Sequence, residues 1–344
     1  MSANEKASGG KPHLDWNSLG FGYIPVNTHI RHTWKDGEWS KGELRSEHTI
    51  TMSVAACCLH YGQAAFEGMK AFTCKDGKVR IFRPDENADR LNRTAHHLLG
   101  PEVPKEMFIE SVRKVVRDNI EFVPPYGTGG SLYIRPLYIG TSPQIGVAPS
   151  TIYDLLIMVM PVGAYYKGGL KPVDALVIED YDRAAPKGTG SVKVAGNYAA
   201  SFMPSKIAKS HGYSITLFMD PKTHEFVDEF GTSNFFAITK DGTFITPESP
   251  SILSSITNKS LQQIAKDCGM KVEKRPIHKS ELPDLLEVGA CGTAVVITPI
   301  SSISIEGKTI TYGDKYPTLK KLYEHITGIQ YGEIPDTHGW MFDV

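Results

Sequence analysis

The hydrophobic pattern of the chain alternates between short β-prone runs and amphipathic stretches with helical spacing. After Pro84-Asp85, apolar residues recur at positions 88, 91, 95, 98 and 99, and the stretch 105–122 repeats this spacing until Pro124-Pro125. Recurrence every three or four residues is typical of a helix that buries one face. The runs 131–139 and 151–160 predict strands, and the second is apolar enough to be central in its sheet.

Three Lys-Asp-Gly sequences, which begin at Lys35, Lys75 and Lys240, mark hairpin turns between β-prone runs. Asp-Gly suits a primed turn because both residues tolerate a positive φ. In the second half we predict strands at 173–179, 213–219, 225–229, 234–239 and 294–298, and helices at 258–268 and 317–327. Adjacent hairpins with few strand–helix–strand alternations favour antiparallel or mixed sheets over a doubly wound parallel sheet. The predicted fold class is therefore mixed α and β (α+β).

Length and charge favour a two-domain protein that binds small molecules. The chain has 344 residues, more than one core usually serves, and a turn-rich segment at 161–172 separates its halves. We predict a disordered tail at 1–15, a small N-terminal α/β domain at 16–162, a connection at 163–173 and a larger C-terminal domain at 174–344. A net charge of −1 and a pI near 6.9 give no basic stripe for nucleic acid or an acidic membrane.

Cysteine usage favours a cytoplasmic location. The five cysteines include no C-x-x-C pair, which argues against a disulfide framework and a zinc knuckle, and no histidine pair has the metal-binding spacing H-E-x-x-H. Residues 1–11 are polar and unlike a signal peptide, and the longest apolar run, Leu155 to Val162, is too short to span a bilayer. We expect no metal and no membrane partner.

The sequence GSVKVAGNYAA, residues 190–200, sets Lys193 among small residues. Glycine lets a backbone approach a ligand closely, and a lysine kept partly out of water loses proton affinity until its amine can attack a carbonyl. Such a lysine serves either a carbonyl substrate or pyridoxal phosphate, and the second case needs a partner for the ring nitrogen and a phosphate cradle. From this stretch alone, a solvated surface lysine is the competing interpretation.

Residues able to hold a pyridine nitrogen and a phosphate occur elsewhere in the chain. Glu229 lies among apolar strand residues, where a carboxylate is costly unless paired, although composition alone equally allows a surface acid at a strand end. Thr257 is a good N-cap type at a predicted helix start, where a phosphate could bind, or it is a cap only. Gly292-Thr293 could form a second backbone cradle, and Arg90 is either a charge partner or a surface residue.

Neither G-x-G-x-x-G after a strand nor a P-loop sequence occurs, so dinucleotide and nucleotide-triphosphate sites lose support.

Taken together, these segments resemble the branched-chain aminotransferases, pyridoxal phosphate enzymes of fold type IV, from about Trp16 to Val344. The blocks that carry the resemblance are HYGQAAFEGMKAF (60–72), VRIFRPDENADRL (79–91), SLYIRPLYIGTSPQIGV (131–147), MPVGAYYKGG (160–169), KVAGNYAAS (193–201), VDEFGTSNFF (227–236), ILSSITNKSL (252–261) and CGTAVVITPI (291–300). Their order and spacing match the family throughout. The resemblance implies a two-domain fold with the cofactor site between the domains and most of the cofactor contacts in the C-terminal one.

The resemblance also implies a role for each matched position. Lys193 would hold pyridoxal 5'-phosphate covalently and move the proton at the substrate α-carbon, Glu229 would pair with the pyridine nitrogen, and Tyr198 would hydrogen-bond the ring hydroxyl. The phosphate would be held by Arg90, Ile256, Thr257 and Thr293, with Arg183 nearby. The substrate side would be shaped by Phe66, Tyr133, Arg135, Tyr165, Thr232 and Ala294, with Arg135 helping to accommodate the second carboxylate of glutamate. In a homodimer, the partner subunit would contribute Tyr61, Ile145 and Val147.

The activity that the resemblance implies is transamination between leucine, isoleucine or valine and 2-oxoglutarate. An apolar wall with a charge at its edge can accept both kinds of substrate in one pocket. The alternatives on the same fold are D-amino-acid transamination, a lyase of the aminodeoxychorismate type and a non-catalytic binding protein. The region 16–41 and the sequence GAYYKGG favour the branched-chain group, and the presence of both Lys193 and Glu229 argues against a mere binder.

Two departures from the family pattern stand out. The common Leu-Pro-Gly before the phosphate-binding helix is Leu253-Ser254-Ser255 here, which puts the geometry of that turn in question. The redox C-x-x-C that mammalian members carry after Gly-Thr-Ala is replaced by the residues at 295–298, which are Val-Val-Ile-Thr. We therefore predict no thiol switch at this loop.

Overall fold

The computed structural model describes residues 14–164 and 170–344. It divides into two compact units, Met1–Tyr165 with Ile329–Val344, and Tyr166–Gly328. Most of the predicted tail, residues 1–13, and the stretch 165–169 of the predicted connection, including the substrate-side candidate Tyr165, lie outside the described residues.

The described chain contains both helices and strands, mostly in runs of consecutive strands. The strands are β1 (His29–Lys35), β2 (Glu38–Trp39), β3 (Glu43–Arg45), β4 (Ala64–Phe66), β5 (Met69–Thr73), β6 (Val79–Phe82), β7 (Ser131–Gly140), β8 (Tyr153–Val162), β9 (Val173–Val177), β10 (Ile215–Met219), β11 (Val227–Phe230), β12 (Asn234–Thr239), β13 (Phe244–Pro247), β14 (Val272–Arg275), β15 (Leu285–Gly292), β16 (Val296–Ile305), β17 (Lys308–Thr311) and β18 (Met341–Asp343). The helices are α1 (Cys57–Tyr61), α2 (Pro84–His97), α3 (Lys105–Asp118), α4 (Ala195–Ala200), α5 (Phe202–Ser210), α6 (Ile256–Asp267) and α7 (Pro317–Gln330), with 3₁₀ turns at Ile120–Phe122 and Lys279–Asp284.

The first unit is built on an antiparallel sheet. Its strands follow the order β18-β6-β5-β7-β8-β1-β2, with β3 added on β1 and β4 on β7. Strands β7 and β8 pair along their whole length, from Ser131 opposite Val162 to Gly140 opposite Tyr153. Strand β8 lies between β7 and β1, which confirms its predicted central position.

Helices α2 and α3 supply much of the core of the first unit. Three of the apolar positions predicted to share one face of α2, Ala88, Leu91 and Ala95, are buried in one cluster with residues of α3 and of the sheet, and Leu98 packs against it. The helical spacing therefore identified the packing face of α2, except at Leu99, which is 71% exposed beyond the end of the helix. Helix α3 ends at Asp118, earlier than the predicted position 122, because the chain tightens into a 3₁₀ turn.

The second unit is built on a mixed sheet that closes on itself. Its strands follow the order β11-β10-β9-β16-β15-β12-β13-β14, and β11 also pairs with β12. Strand β9 is parallel to both β10 and β16, and β13 is parallel to β14, whereas the other described pairings of this sheet are antiparallel. The expectation of a mixed α and β fold with mixed sheets is therefore confirmed. Closure brings Glu229 of β11 directly opposite Asn234 of β12.

The three predicted hairpins form, but only the first has a primed turn. Asp36 and Gly37 both have positive φ, 54° and 93°, as a type I′ turn requires. In the other two hairpins only Gly77 and Gly242 are in the left-handed region, so the prediction of primed turns is wrong there. Each of those hairpins has a longer loop that ends in a left-handed glycine.

The end of the chain returns to the first unit, although our prediction kept 174–344 in one domain. Strand β18 pairs with β6, and the backbone N–H of Arg83 donates to the carbonyl of Trp340 over 2.7 Å. The Trp340 ring packs edge-on against Phe82 and lies under the Arg83 guanidinium. A three-residue strand has too little pattern to reveal its partner in the sequence.

None of the helices in residues 14–164 and 170–344 combines the length and the apolar character that a membrane span requires.

Candidate active site

Lys193 lies in the loop that precedes helix α4 of the second unit. Its side chain is half-buried, and its Nζ donates a hydrogen bond to the Tyr198 hydroxyl over 2.8 Å. The same Nζ lies 5.1 Å from the centroid of the Tyr198 ring. Tyr198 lies in the first turn of α4, and this position brings its hydroxyl against the Lys193 amine. The structure therefore brings together the two residues that the sequence predicted.

Asn197 and Gly190 hold the loop that carries Lys193. The buried Asn197 amide donates to the carbonyls of Thr189 and Val192 over 2.6 and 3.2 Å. A Cβ on Gly190 would lie 2.6 Å from Cα of Ser251, so only glycine allows this approach of two backbones. A Cβ on Gly196 would meet nothing within 4 Å, so close approach within this chain explains the first glycine and not the second.

Glu229 is a buried carboxylate at the end of β11, only 2% exposed. Its Oε1 accepts the backbone N–H of Leu253 over 3.0 Å, and its Oε2 accepts the Asn234 amide over 3.0 Å. Burial raises the pKa of Glu229 from 4.5 to about 7, against the opposing effects of Arg183 and of the Leu253 N–H. The alternative of a surface acid is therefore wrong, and the pKa of this buried carboxyl lies near neutral pH.

Arg183 is the cation beside Glu229. Its Nη1 lies 2.7 Å from Glu229 Oε1, and both side chains are almost fully buried. The N–H directions do not complete a hydrogen bond: Nη1 and Nε of Arg183 are buried and without a hydrogen-bond partner among the described residues. The site therefore combines a partly neutralised carboxylate with guanidinium donors that have unused hydrogen-bonding capacity, which suits an additional polar ligand.

Helix α6 begins at Ile256, and its N-cap is Ser255 rather than the predicted Thr257. The Ser255 hydroxyl accepts the backbone N–H of Asn258 over 3.1 Å. Ile256 and Thr257 form the first turn, and the N–H groups of a first turn have no carbonyl partner inside the helix. Such groups bind anions readily. Ser255 has φ −81° and ψ 131°, an extended conformation open to any residue, so replacing the family's glycine leaves the helix start intact.

Thr232 and Thr293 lie in two turns at the same end of the second sheet. Thr232 lies between β11 and β12, and Thr293 and Ala294 lie between β15 and β16. Strands β12 and β15 pair with Asn234 opposite Cys291, and a Cβ on Gly292 would lie 4.0 Å from the Thr232 carbonyl. The two turns are therefore neighbours at the end of the closed sheet where Glu229 is located.

In the first unit, three of the predicted substrate-side residues form one cluster. The Arg135 guanidinium lies over the rings of Phe66 and Tyr133, at 4.8 and 5.2 Å from their centroids, and its Nη2 donates to the Tyr133 hydroxyl over 2.9 Å. Strand β4 pairs with β7, and this pairing brings Phe66 beside the other two. The cluster combines two aromatic rings with a cation that lies over them.

A lysine missed by the sequence interpretation accompanies this cluster. Lys70 lies opposite Tyr133 across β5 and β7, and its Nζ is 6.0 Å from the centroid of the Phe21 ring. Burial lowers the pKa of Lys70 from 10.5 to about 8. Its position inside the block that carries the resemblance was the available signal, but helical or strand periodicity gave no reason to single it out.

Arg90 forms a buried ion pair within the first unit. Its Nε and Nη2 donate to Glu67 Oε1 and Oε2 over 2.8 and 2.6 Å, and the Asn87 amide donates to the same carboxylate over 2.7 Å. The structure thus excludes a surface role for Arg90. Glu67 orients the guanidinium, a function that no sequence pattern predicted.

The three residues assigned to a partner subunit lie on an exposed face of the first unit. Tyr61, Ile145 and Val147 are 41%, 67% and 87% exposed. The Tyr61 hydroxyl donates to the Ile145 carbonyl, which joins two of the three. Exposed large apolar side chains of this kind are typical of protein–protein contacts.

Comparison with known proteins extends the likeness beyond single motifs. The model of the family described as amino-transferase class IV matches residues 64–303. A branched-chain-amino-acid aminotransferase of Haemophilus influenzae is 45% identical over 340 residues, which cover 96% of this chain and 99% of the relative.

Solved structures show the same likeness in three dimensions. The branched-chain amino acid aminotransferase of Escherichia coli is 29% identical and superposes with a TM-score of 0.76 over 90% of this chain and 98% of its own. The T.th. branched-chain amino acid aminotransferase with pyridoxamine 5'-phosphate is 26% identical, with a TM-score of 0.79 over 93% of this chain and 99% of its own. The T.th. protein was also solved with N-(5'-phosphopyridoxyl)-L-glutamate and with 4-methylvaleric acid.

Proposed function

The chain belongs to the class IV aminotransferases, and from this premise we propose that it transfers the amino group between branched-chain L-amino acids and 2-oxoglutarate. The products are branched 2-oxo acids and L-glutamate. The observation that carries the proposal is the hydrogen bond between Lys193 and Tyr198 in the same unit as the buried Glu229. Likeness over nearly the whole chain to a branched-chain-amino-acid aminotransferase supports this substrate class over D-amino acids and over a lyase substrate.

The residues of the second unit fit pyridoxal 5'-phosphate, the cofactor of this enzyme class. Glu229, whose pKa is raised to about 7 by burial, has lone pairs left for a protonated ring nitrogen, and Arg183 has unused donors beside it. The first turn of α6 supplies backbone N–H groups that suit a phosphate. When bound, the cofactor supplies an electron sink for the bond broken at the substrate α-carbon. Lys193 would hold the cofactor and carry the proton to and from that carbon, and Tyr198 would bond the ring hydroxyl.

The first unit offers a surface suited to two kinds of substrate. The aromatic rings of Phe66 and Tyr133 favour a branched aliphatic side chain, and the Arg135 guanidinium that lies over them favours the second carboxylate of glutamate. Support comes from the T.th. relative, which was solved with both a glutamate adduct and a branched acid. We also propose the roles that the resemblance implies for the remaining residues. The phosphate would be held by Arg90 and Thr293, and the substrate side would include Thr232, Ala294 and Tyr165.

A homodimer in the cytoplasm is part of the same proposal. The exposed Tyr61 and Ile145, which a hydrogen bond joins, and the exposed Val147 support a contact with a second copy of the chain, since apolar side chains grouped on a surface are typical of protein–protein contacts. All five cysteines are free thiols, as is usual in a reducing compartment.

The activity is tested with L-leucine and 2-oxoglutarate as substrates and glutamate formation as the measurement. We expect turnover in the ordinary range of enzymes, on the order of 1 to 10³ per second. D-leucine should give no glutamate. Formation of pyruvate from aminodeoxychorismate, without glutamate from L-leucine, would overturn the proposal.

Arg135 should separate the two substrate classes. In Arg135→Met, the aliphatic stem can still pack on Phe66, but the guanidinium is gone. We expect the KM for 2-oxoglutarate to rise roughly 10- to 100-fold, since a charged hydrogen bond is lost, and the KM for leucine to change less than about twofold. Steady-state kinetics with each substrate varied separately measures the difference.

The matched control for this prediction is Arg113→Met. Arg113 is an arginine of the same unit whose Nη1 donates to Glu110 on the surface of α3. This variant should leave both KM values unchanged. Equal increases for leucine and 2-oxoglutarate in Arg135→Met would contradict a role in carboxylate recognition.

A further inference from the structure

Asp228, the neighbour of Glu229 in strand β11, is a second buried carboxylate that the proposed function does not use. It is 4% exposed, and burial raises its pKa. Successive residues of a strand point to opposite faces, so Asp228 and Glu229 lie on opposite faces of β11. Two adjacent buried acids are costly, and such a pair needs a structural or functional reason.

The partner of Asp228 is Ser251, in the segment that leads into helix α6. The buried Ser251 hydroxyl donates to Asp228 Oδ2 over 2.5 Å and also contacts the Ser249 hydroxyl at 2.7 Å. Cα and the carbonyl oxygen of Ser251, at 2.6 and 2.8 Å, are the two nearest atoms that leave no room for a Cβ on Gly190. Ser251 therefore touches both the strand of Glu229 and the loop of Lys193.

The segment that starts at Ser251 next reaches Glu229 itself. Two residues later, the Leu253 N–H donates to Glu229 Oε1 over 3.0 Å, and the Leu253 carbonyl accepts the Asn234 amide over 2.9 Å. Two residues further, Ser255 caps α6 at the predicted phosphate site. The residues from Ser251 to Ser255 thus contact Glu229, assigned to the ring nitrogen, and the start of α6, assigned to the phosphate.

We propose that Asp228 and Ser251 are positioning residues: their hydrogen bond fixes the segment 249–255 so that Leu253 and Ser255 hold Glu229 and the start of α6 in place for the cofactor. The proposal rests on the proposed function for the identity of the cofactor. Neither residue touches the substrate or the cofactor in this scheme. Their effect passes through the Leu253 N–H, whose bond favours the ionised form of Glu229.

The test is cofactor binding to the apoprotein without substrate, with pyridoxal 5'-phosphate as the probe. The dissociation constant is measured by fluorescence titration at several pH values for Ser251→Ala, Asp228→Ala and the double variant. We expect each single variant to weaken binding about tenfold, because a buried hydrogen bond is lost. The pH midpoint of binding should also move upward, because Glu229 then ionises less readily. The double variant should bind no worse than either single variant, since both remove one shared interaction.

Two further variants distinguish positioning from a general loss of stability. Asp228→Asn keeps an acceptor for the Ser251 hydroxyl and should bind the cofactor within about twofold of the wild type. Ser304→Ala removes another buried serine hydroxyl of the same unit, hydrogen-bonded to Tyr213 and Thr309, and should leave both the dissociation constant and the pH midpoint unchanged.

Three results would overturn the proposal: wild-type binding by Ser251→Ala, additive losses in the double variant, or equal losses in Asp228→Asn and Asp228→Ala. A failure of the proposed function would look different. Wild-type protein that binds the cofactor but forms no glutamate from L-leucine would remove the branched-chain assignment and leave the positioning role standing.

Discussion

Replacing Lys193 with alanine is expected to lower kcat for L-leucine about 10⁴-fold. The amine is the group proposed to move the α-proton, and a positioned acid–base group contributes up to this factor. The Tyr198 hydroxyl, 2.8 Å from Nζ in the wild type, would not replace the amine, since its proposed role is a hydrogen bond to the ring hydroxyl. The variant should still bind pyridoxal 5'-phosphate without a covalent link. Steady-state kinetics together with absorption spectra before and after sodium borohydride would measure both effects.

Lys187→Ala is the matched control for this experiment. Lys187 is an exposed lysine of the same loop. Its replacement should leave kcat unchanged and keep the borohydride-fixed cofactor on the peptide that contains Lys193, as mass spectrometry would show. Wild-type-like turnover in Lys193→Ala, or a cofactor fixed to another lysine, would refute the assignment.

Replacing Glu229 with glutamine is expected to lower kcat about 10²- to 10³-fold while the covalent link to the cofactor persists. Glutamine fills the same space but carries no charge to stabilise a protonated ring nitrogen, and the loss of one such electrostatic contact has effects of this size. Glu229→Ala should lose most of the rate for the same reason. Rates and absorption spectra of the purified variants would test the prediction.

Glu287→Gln provides a matched control, because it changes another fully buried carboxylate of the same unit. Glu287 accepts the backbone N–H groups of Thr318 and Leu319 at the start of α7, over 3.0 and 2.9 Å. This variant should lose stability but keep kcat. If both variants lost stability and activity in proportion, the effect of Glu229 would be structural and the assignment wrong.

The raised pKa of Glu229 also predicts the direction of two pH effects. Cofactor affinity should increase as pH rises through about 7, since pairing with the ring nitrogen requires the ionised carboxylate. In the apoprotein, the folded state binds this proton more tightly than the unfolded state does. The contribution of Glu229 to stability is therefore present below pH 4.5 and is lost as pH rises through about 7. Both dependences should be weaker in Glu229→Gln, as cofactor titration and thermal unfolding at pH 5 and 8 would reveal.

Elements that depend on local pattern were predictable from the sequence. Helix α2 starts at the predicted Pro84, and β12 has the predicted bounds, Asn234–Thr239, because periodicity and turn residues act over a few positions. Strand β15 was missed although it is the neighbour of β12 in the sheet. Helices α4 and α5, directly after Lys193, were also missed, since short helices contain too few turns for a clear period.

The candidate site divides in the same way. The sequence supplied Lys193, Glu229 and Tyr198 through motifs whose order matched one family. It did not supply Asn234 and Glu67, which hydrogen-bond Glu229 and Arg90, or Ser251, which hydrogen-bonds Asp228 next to Glu229. Which residues become such partners depends on how strands and loops lie against each other in the folded chain, and residue type alone does not predict this.

The sequence by itself determined the mixed fold class, the amphipathic helices and the residue types that the chemistry requires. Only the tertiary structure decided how those residues are held. It buried Glu229, which raised the pKa of that carboxyl, and brought Arg183 beside it. It also made Ser255 the cap of α6 and packed Ser251 against Gly190. The physical reason is range: helical and turn preferences act between near neighbours, whereas desolvation and hydrogen bonding between distant segments exist only after the closed sheet has brought those segments together.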